Sequence, residues 1–484
     1  MPISINTQLI IIVDYFILLV GLGLFARRYS RNSTDFLIAG RNLGIVLCTA
    51  AIAGEWVGGM STVGTAEKAY TSGFFPIWYN ISTAIGMVIF GFTLASVYRK
   101  NNVHTVGEMM EKIFNRRTRI ITSLSFAAAF VILGYIQFQT IGSIAAQVLH
   151  IDYTTAVIVS GILITIYVYF GGMHSIALTN FVQFILLYVT LITVFILVLI
   201  KTGGYGGLFT KLAEVLPADQ VANFRNPLSL GYGPVISWLI GGILAGFASQ
   251  ASIQPVFAAR DIHTAKRSAM FSALFIAPIG FIVTTLAIAV RTGIFGGQPP
   301  TSQETLPYLL MSSNFLPPWL SGLAMAGILS AIVSTIAPVM FAVSTIMTRD
   351  IYQLVFKKEA EDRKILQVSK NFVIITGLIS IPLAIFLRGS LLDTAYITYA
   401  IRASAAIAIL MGLYHVKGFI PKPTPQAVST AMIAAAVSSV AFVVFKNEIT
   451  VFMGFAIDKV YAAIFFTVVS ILVVTGFTKH SKDT

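Results

Sequence analysis

The chain has 484 residues, of which 56% are hydrophobic and 11% charged. Soluble domains carry roughly 25% charged residues, so this composition excludes a soluble globular protein. The net charge of +13 would suggest nucleic acid in a soluble protein. Here the basic residues lie in short loops between apolar stretches, where membrane topology accounts for them and no nucleic-acid partner is implied.

A bilayer-spanning helix needs about 20 apolar residues, and about thirteen stretches qualify. The first, 7–26, has no basic segment ahead of it and runs into Arg27-Arg28, so it reads as a retained span and not a cleaved signal. The rest are 42–66, 76–98, 119–148, 153–170, 175–200, 233–254, 266–290, 317–346, 366–387, 391–413, 424–445 and 453–477. No alternating ten-residue strands appear, which argues against a barrel and for helices throughout. Twenty-three of the 32 Lys and Arg fall in alternate loops assigned to the inside, seven fall outside, and Arg402 and Lys459 lie within spans. This predicts a multi-pass protein of the cell membrane with the N-terminus outside and the C-terminus in the cytoplasm. The single cysteine, Cys48, excludes an intramolecular disulfide and a cysteine-based metal site. The longest loops, 202–232 and 292–316, are rich in Gly and Pro and read as connectors in preference to lids.

Two spans are interrupted by glycine. The second carries Gly54, Gly58 and Gly59; the seventh carries Gly241, Gly242 and Gly246, followed by Ser249, Gln250, Ser252 and Gln254. Five spans separate their starts. Broken helices at matching positions of two inverted repeats build the midplane site of many transporters. Small-residue packing between helices also enriches glycine, but the polar and charged neighbours favour a site. In the ninth span, Ser334 and Thr335 precede Pro338. Adjacent hydroxyls and a loosened carbonyl offer hard oxygen ligands to a cation such as Na+. The other reading is that the hydroxyls bond back to their own helix, and spacing alone leaves the two even.

Glu55 and Arg402 are full charges deep in apolar stretches. Each costs at least ~2.5–3.5 kcal/mol on insertion scales, so each is expected to face a partner or a polar cavity.

Several stretches together resemble the sodium:solute symporter family, which includes sodium/proline, sodium/sugar and sodium/sialic-acid cotransporters. They are Gly54-Glu55-Trp56-Val57-Gly58-Gly59-Met60-Ser61, the run from Gly171-Gly172-Met173 to Gln183, Gln254-Pro255-Val256-Phe257-Ala258-Ala259-Arg260-Asp261, and Ala331-Ile332-Val333-Ser334-Thr335 with Thr348-Arg349-Asp350-Ile351-Tyr352. The resemblance covers nearly the whole chain. It implies an all-α membrane protein with a leucine-transporter-like five-plus-five inverted repeat. Residues 7–26 would be a leading helix, 42–200 the first repeat, 233–413 the second, and 424–477 two trailing helices. It implies a Na+ site between the second and ninth spans, held by the backbone carbonyls of Thr49, Ile52 and Ala331 and the hydroxyls of Ser334 and Thr335. Many members have Asp where this chain has Asn180, so a second Na+ site is not expected. Trp56 follows Glu55 where sugar carriers are Gln-rich, and the Asp that proline carriers place near Ala51 is missing. Neither glucose nor proline is the obvious substrate.

In such a fold the eleventh span lines the substrate cavity. A guanidinium there suits a carboxylate bidentately. Arg402 is therefore expected either to hold substrate or to form a structural ion pair with Glu55. Trp56, Gln250 and Tyr399 complete the expected substrate set, with Tyr79, Phe247, Tyr396 and Thr398 as neighbours. The reading is a Na+-coupled symporter, functional as a monomer, for a small organic solute that carries a carboxylate, an organic acid or an amino acid. The alternative is a proton-coupled or uncoupled carrier with Glu55 as the proton site. No catalytic constellation suggests an enzyme. A kinase-linked sensor would need a long extension, whereas about seven residues follow the last span.

Overall fold

The computed structural model describes residues 7–26, 28, 32–149, 151–357, 359–387, 390–415, 422–445 and 458–483. In chain order we number α1 Thr7–Ala26, α2 Ile45–Trp56, α3 Met60–Ser72, α4 Ile77–Thr93, α5 Val106–Ile113, α6 Arg116–Leu149, α7 Tyr153–Gly171 and α8 Met173–Thr202. Then come α9 Tyr232–Ala248, α10 Gln250–Ala258, α11 Ile262–Arg291, α12 Pro318–Phe356, α13 Asp362–Phe386, α14 Leu391–Leu413, α15 Pro425–Val444 and α16 Lys459–Asp483. No strand forms among the described residues; the one extended contact is an isolated parallel bridge between Leu43 and Ala259. That is what hydrocarbon demands, because helices satisfy their own backbone.

Among the described residues, nine helices are long and apolar enough to cross a bilayer, two bent pairs join them, and α4 and most of α1 are shorter apolar helices. These segments fall on the expected stretches, although 453–457 of the last one lie outside the described residues. Large side chains such as Ile17, Phe92, Ile200, Leu274, Phe386 and Phe477 point outward. Exposed apolar surface on this scale is what a lipid environment stabilises.

The central element is α12, whose apolar window is buried throughout. It packs against α1, α2, α6, α8 and α13. Its last ten residues, Met347–Phe356, are wound as a π-helix. The bent pairs are α2 with α3, turned by 50°, and α9 with α10, turned by 40°. Both breaks fall in the glycine-rich spans, but they use the glycines differently. In the second span the break contains Val57, Gly58 and Gly59. In the seventh it falls at Ser249, which adopts an extended backbone (φ −74°, ψ 102°). Gly242 and Gly246 lie earlier, where α9 meets α4.

The loops are more structured than connectors need be. Residues 202–232 contain the helices Gly204–Ala213 and Ala218–Arg225, which bury Leu208, Leu212 and Phe224. Phe74 N–H donates to the Phe224 carbonyl (3.0 Å), tying this loop to the end of α3.

At Gly242 a methyl group would lie 2.0 Å from Ser82 Oγ and 2.7 Å from its Cβ. Overpacking of this kind costs about 1–3 kcal/mol. Gly242→Ala should therefore lower the thermal midpoint of the purified protein, and Ser82→Gly in that background should recover part of the loss. A Gly242→Ala protein as stable as the parent would contradict the close α4–α9 approach.

Candidate solute and cation site

The site begins with the backbone. Helix α2 ends at Trp56, so its last carbonyls have no intrahelical partner. Two of them meet hydroxyls of α12. Ser334 Oγ donates toward Gly54 O (2.9 Å) and lies 2.8 Å from Ala331 O. Thr335 Oγ1 lies 2.8 Å from Glu55 O and 3.2 Å from Gly54 O. This approach needs Gly58, where a methyl group would stand 1.8 Å from Thr335 Oγ1. Pro338 supplies no N–H to Ser334 O, four residues earlier. The Asn180 side-chain Nδ2 donates there instead (3.2 Å). Ala331, Ser334, Thr335 and the second-span carbonyls thus form one cluster of hard oxygens. Among the described residues no group of three or more His, Cys, Asp or Glu could hold a metal. Oxygens of this type suit an alkali cation and not a transition metal.

Thr49 and Ile52 are buried in α2. The carbonyls that meet Ser334 and Thr335 are those of Gly54 and Glu55, less than a turn further on.

Beside this cluster lies a cavity of about 10 Å³, lined among others by Glu55, Trp56, Tyr79, Gln137, Tyr399 and Arg402. Glu55 is 3% exposed and Arg402 0%, so both charges are buried. Arg402 donates to three acceptors: Nε to Thr398 O (3.2 Å), Nη1 to Ser249 Oγ (2.9 Å) and Nη2 to Thr398 Oγ1 (3.0 Å). It sits over the ring of Tyr399, 4.4 Å from the centroid, and faces Trp56 at 5.8 Å. Tyr399 donates to the Tyr79 hydroxyl (2.7 Å) and meets Trp56 edge-on. The ion pair with Glu55, one of the two readings open for Arg402, is not made at contact distance: no Glu55 oxygen lies within 4.0 Å of the guanidinium, and Glu55 Oε2 has no hydrogen-bond partner. Arg402 instead joins α14 to the break at Ser249 between α9 and α10.

Gln250 does not line this cavity. Its Oε1 accepts from Val106 N–H (2.8 Å) and its Nε2 donates to His104 O (3.0 Å), so its amide is spent on the turn that starts α5. Gln137, which the sequence analysis did not single out, does line it. The signal available was an amide amid the apolar residues of α6.

A second polar cluster closes the end of the bundle that the charge asymmetry assigns to the inside. Asp350, fully buried on α12, accepts from Thr105 Oγ1 (2.8 Å), Ser123 Oγ (2.6 Å) and Arg119 Nε (2.8 Å). Arg119 also reaches Glu111 (2.6 Å) and Glu108 (3.3 Å). Burial pushes the Glu108 carboxyl up, but His104, Arg349 and Arg119 outweigh it and hold it down at about 2. The cluster ties α5, α6 and α12 together.

The family model described as the sodium:solute symporter family matches residues 36–418. The chain therefore belongs to that family: it is a membrane transporter and not an enzyme, and Na+ is the coupling ion. It is 24% identical to the sodium/glucose cotransporter of Vibrio parahaemolyticus, over 98% of this chain and 90% of that protein. It is also 24% identical to the high-affinity proline transporter PutP of Bacillus subtilis, over 81% of this chain and 84% of the relative. Its fold is similar to that of a Na+-coupled sialic acid symporter solved in a substrate-bound outward-open state, with a TM-score of 0.80, 18% identity, and coverage of 98% of this chain and 97% of that one. The architecture is the leucine-transporter-like fold.

Removing Arg119 would leave Asp350 buried with hydroxyl partners only. Breaking a buried pair in this way costs about 3–5 kcal/mol. Arg119→Leu should be strongly destabilised in SDS-titration unfolding. Asp350→Asn should lose less, since Arg119 keeps Glu108 and Glu111. The reverse order would contradict this account of the cluster.

Proposed function

We propose that the protein imports a small carboxylate-bearing organic solute together with Na+ by alternating access. The carrying observation is the adjacency of two clusters around the broken second span. Backbone at Gly54 and Glu55 meets Ser334 and Thr335, while the side chains of Glu55 and Trp56 line the cavity with Arg402. Na+ binds where the Ser334 and Thr335 hydroxyls and the Ala331 carbonyl meet the second span, whose carbonyls from Thr49 and Ile52 to Gly54 and Glu55 complete its shell. The carboxylate binds Arg402; Trp56, Tyr79 and Tyr399 wall the solute.

Occupation of both sites favours closure of the two broken helices over the solute. Release follows opening at the inner face, where the Asp350–Arg119 cluster ties α5 and α6 to α12 and has to part. In this reading the repeats are 42–200 and 233–413, flanked by the leading helix 7–26 and the trailing pair 424–477. The protein works as a monomer in the plasma membrane, N-terminus outside. The neutral Asn180 supports one Na+ per cycle.

Two outcomes follow for uptake into proteoliposomes, with choline replacing Na+ as the control. Ser334→Ala with Thr335→Ala should raise the Na+ concentration for half-maximal uptake at least tenfold, about 1.4 kcal/mol, with a Hill coefficient near 1 in the parent. Unaltered Na+ dependence in correctly inserted protein would remove Na+ from this cluster. Arg402→Ala should cost about 2–5 kcal/mol of solute affinity. Arg402→Lys should not restore it, because an ammonium lacks the planar fork. Full rescue by lysine would reject bidentate recognition.

A further inference from the structure

The cations at the end of the bundle that holds Asp350 fall into two groups. Arg119 and Arg349 are matched: Arg119 reaches Asp350, Glu111 and Glu108, and Arg349 lies 3.4 Å from Glu108. Arg41, Arg99 and Lys100 are not: among the described residues no carboxylate lies within 4.0 Å of any of them. Arg41 and Arg99 converge instead on one neutral residue. Asn102 Oδ1 accepts from Arg41 Nη1 (3.0 Å) and from Arg99 Nη1 (2.9 Å), and the Asn102 carbonyl accepts from Arg41 Nη2 (2.6 Å). The remaining bonds of Arg99 go to the carbonyls of Ala259 (2.7 Å) and Arg260 (3.3 Å). Burial, and after it the Arg99 charge, hold the Arg41 guanidinium below the usual arginine range; Glu108 pulls the other way, and Arg349 pushes against it. Two like charges on one amide oxygen leave a positive field that an anion would neutralise.

Space for that anion lies beside them. Arg99, Lys100 and Asn102, at and just past the end of the short helix Ala95–Lys100, line an open cavity of about 560 Å³ with Asp261, Ile262 and His263 at the start of α11. Asp261 is occupied elsewhere: it accepts from Thr264 N–H (2.6 Å) and pairs with Arg260 (3.3 Å). Lys100 is exposed, as is Arg267 one turn into α11. Deeper in the bundle α4 and α11 pack closely, and a methyl group on Gly91 would lie 2.6 Å from Met270 Cγ. Next to this contact both helices turn apolar side chains outward: Ile85, Ile89 and Phe92 on α4, Phe271 and Leu274 on α11. Along their helices Phe92 lies about 10 Å and Leu274 about 17 Å from the cavity, close to the roughly 15 Å hydrocarbon depth of one leaflet. We infer that this cavity binds the headgroup of an anionic phospholipid, its phosphate on Arg99 and Lys100 and its acyl chains along the outward faces of α4 and α11. Basic pockets between spanning helices are a form that such headgroup sites take. A zwitterionic phospholipid brings its own cation and leaves the excess charge in place; a soluble phosphate makes no use of the apolar faces. The headgroup sits beside the bridge in which Leu43 N–H donates to Ala258 O and Arg260 N–H to Leu43 O (both 3.0 Å). That bridge joins the start of α2 to the end of α10, so the lipid bears on both broken spans from outside the solute cavity.

The test is thermal stabilisation of the purified full-length protein in detergent, titrated with dioleoyl phosphatidylglycerol or dioleoyl phosphatidylcholine in mixed micelles, and separately with glycerol 3-phosphate and inorganic phosphate. Phosphatidylglycerol should raise the thermal midpoint at concentrations about tenfold or more below those that phosphatidylcholine needs. Arg99 also holds the backbone at 259 and 260, so the charge reversals are made at exposed lysines. Lys100→Glu should weaken the phosphatidylglycerol effect about fivefold or more without lowering the lipid-free midpoint. Lys364→Glu, an exposed reversal at the same end of the bundle but outside the cavity, should leave that effect unchanged. Leu274→Ser should weaken the response to phosphatidylglycerol, since the chains lose part of their apolar face. Equal effects of the two lipids, or equal losses in Lys100→Glu and Lys364→Glu, would overturn the site and leave only the diffuse attraction of a basic surface. Stabilisation by glycerol 3-phosphate or inorganic phosphate at the concentrations effective for the lipid would overturn the lipid and assign the cavity to a soluble phosphate.

Discussion

The constraint on which the rest depends is the end of α2 inside the bundle. A helix that stops in hydrocarbon exposes carbonyls that lipid cannot satisfy. Here Ser334 and Thr335 take over those of Gly54 and Glu55, so the break is stable only while α12 lies against it. The contact dictates its neighbours. Gly58 has to lack a side chain because Thr335 occupies that space. Pro338 frees the Ser334 carbonyl, and Asn180 on α8 pairs with it. A small set of polar groups thus pins α2, α8 and α12 at one level of the bundle.

The second break is held differently. Ser249 leaves the helix with extended backbone, and its hydroxyl accepts from Arg402 on α14. A buried guanidinium is tolerated because Thr398 and Ser249 accept its hydrogen bonds and aromatic faces surround it. The hydroxyls in the two breaks thus act in opposite senses. In the second span they come from α12 and donate to backbone carbonyls, leaving an oxygen-rich pocket. In the seventh the break's own hydroxyl fixes a positive charge.

What was legible in the sequence followed cost. Full charges in apolar stretches are expensive wherever they fall, so Glu55 and Arg402 were visible without a structure. So were the Ser334-Thr335 pair and the glycines at the break in the second span, whose motif runs locally along the chain. Pairings set by tertiary geometry were not legible. Gln250 looked like a substrate contact because it is an amide beside a break, yet its partners are backbone groups at 104 and 106, more than 140 residues away. The glycines of the seventh span suggested the break, but the chain turns at Ser249 and Gly242 serves helix packing. The Glu55–Arg402 ion pair was one of two open readings, and the geometry separates the charges. Gln137 carries no motif; only its lack of a partner inside a shared cavity distinguishes it from other buried amides such as Gln254, whose Nε2 finds Leu37 O and Thr345.

The arrangement also bears on how two ligands communicate. Gly54 and Glu55 present backbone oxygens to α12, and Glu55 and Trp56 present side chains to the cavity, within a single helical turn. A cation drawn to those carbonyls would compete with the hydroxyl donors of Ser334 and Thr335, and so would change the contact that fixes the end of α2. The orientation of the Glu55 and Trp56 side chains depends on that same turn. A ligand shifts an equilibrium only by its differential affinity for the two states, and this turn gives cation and solute a common element whose position alters both affinities. Coupling then needs no long pathway through the bundle. It requires that the turn be rigid enough to move as a unit, which its hydrogen bonds to α12 and its burial against α8 and Gln137 provide.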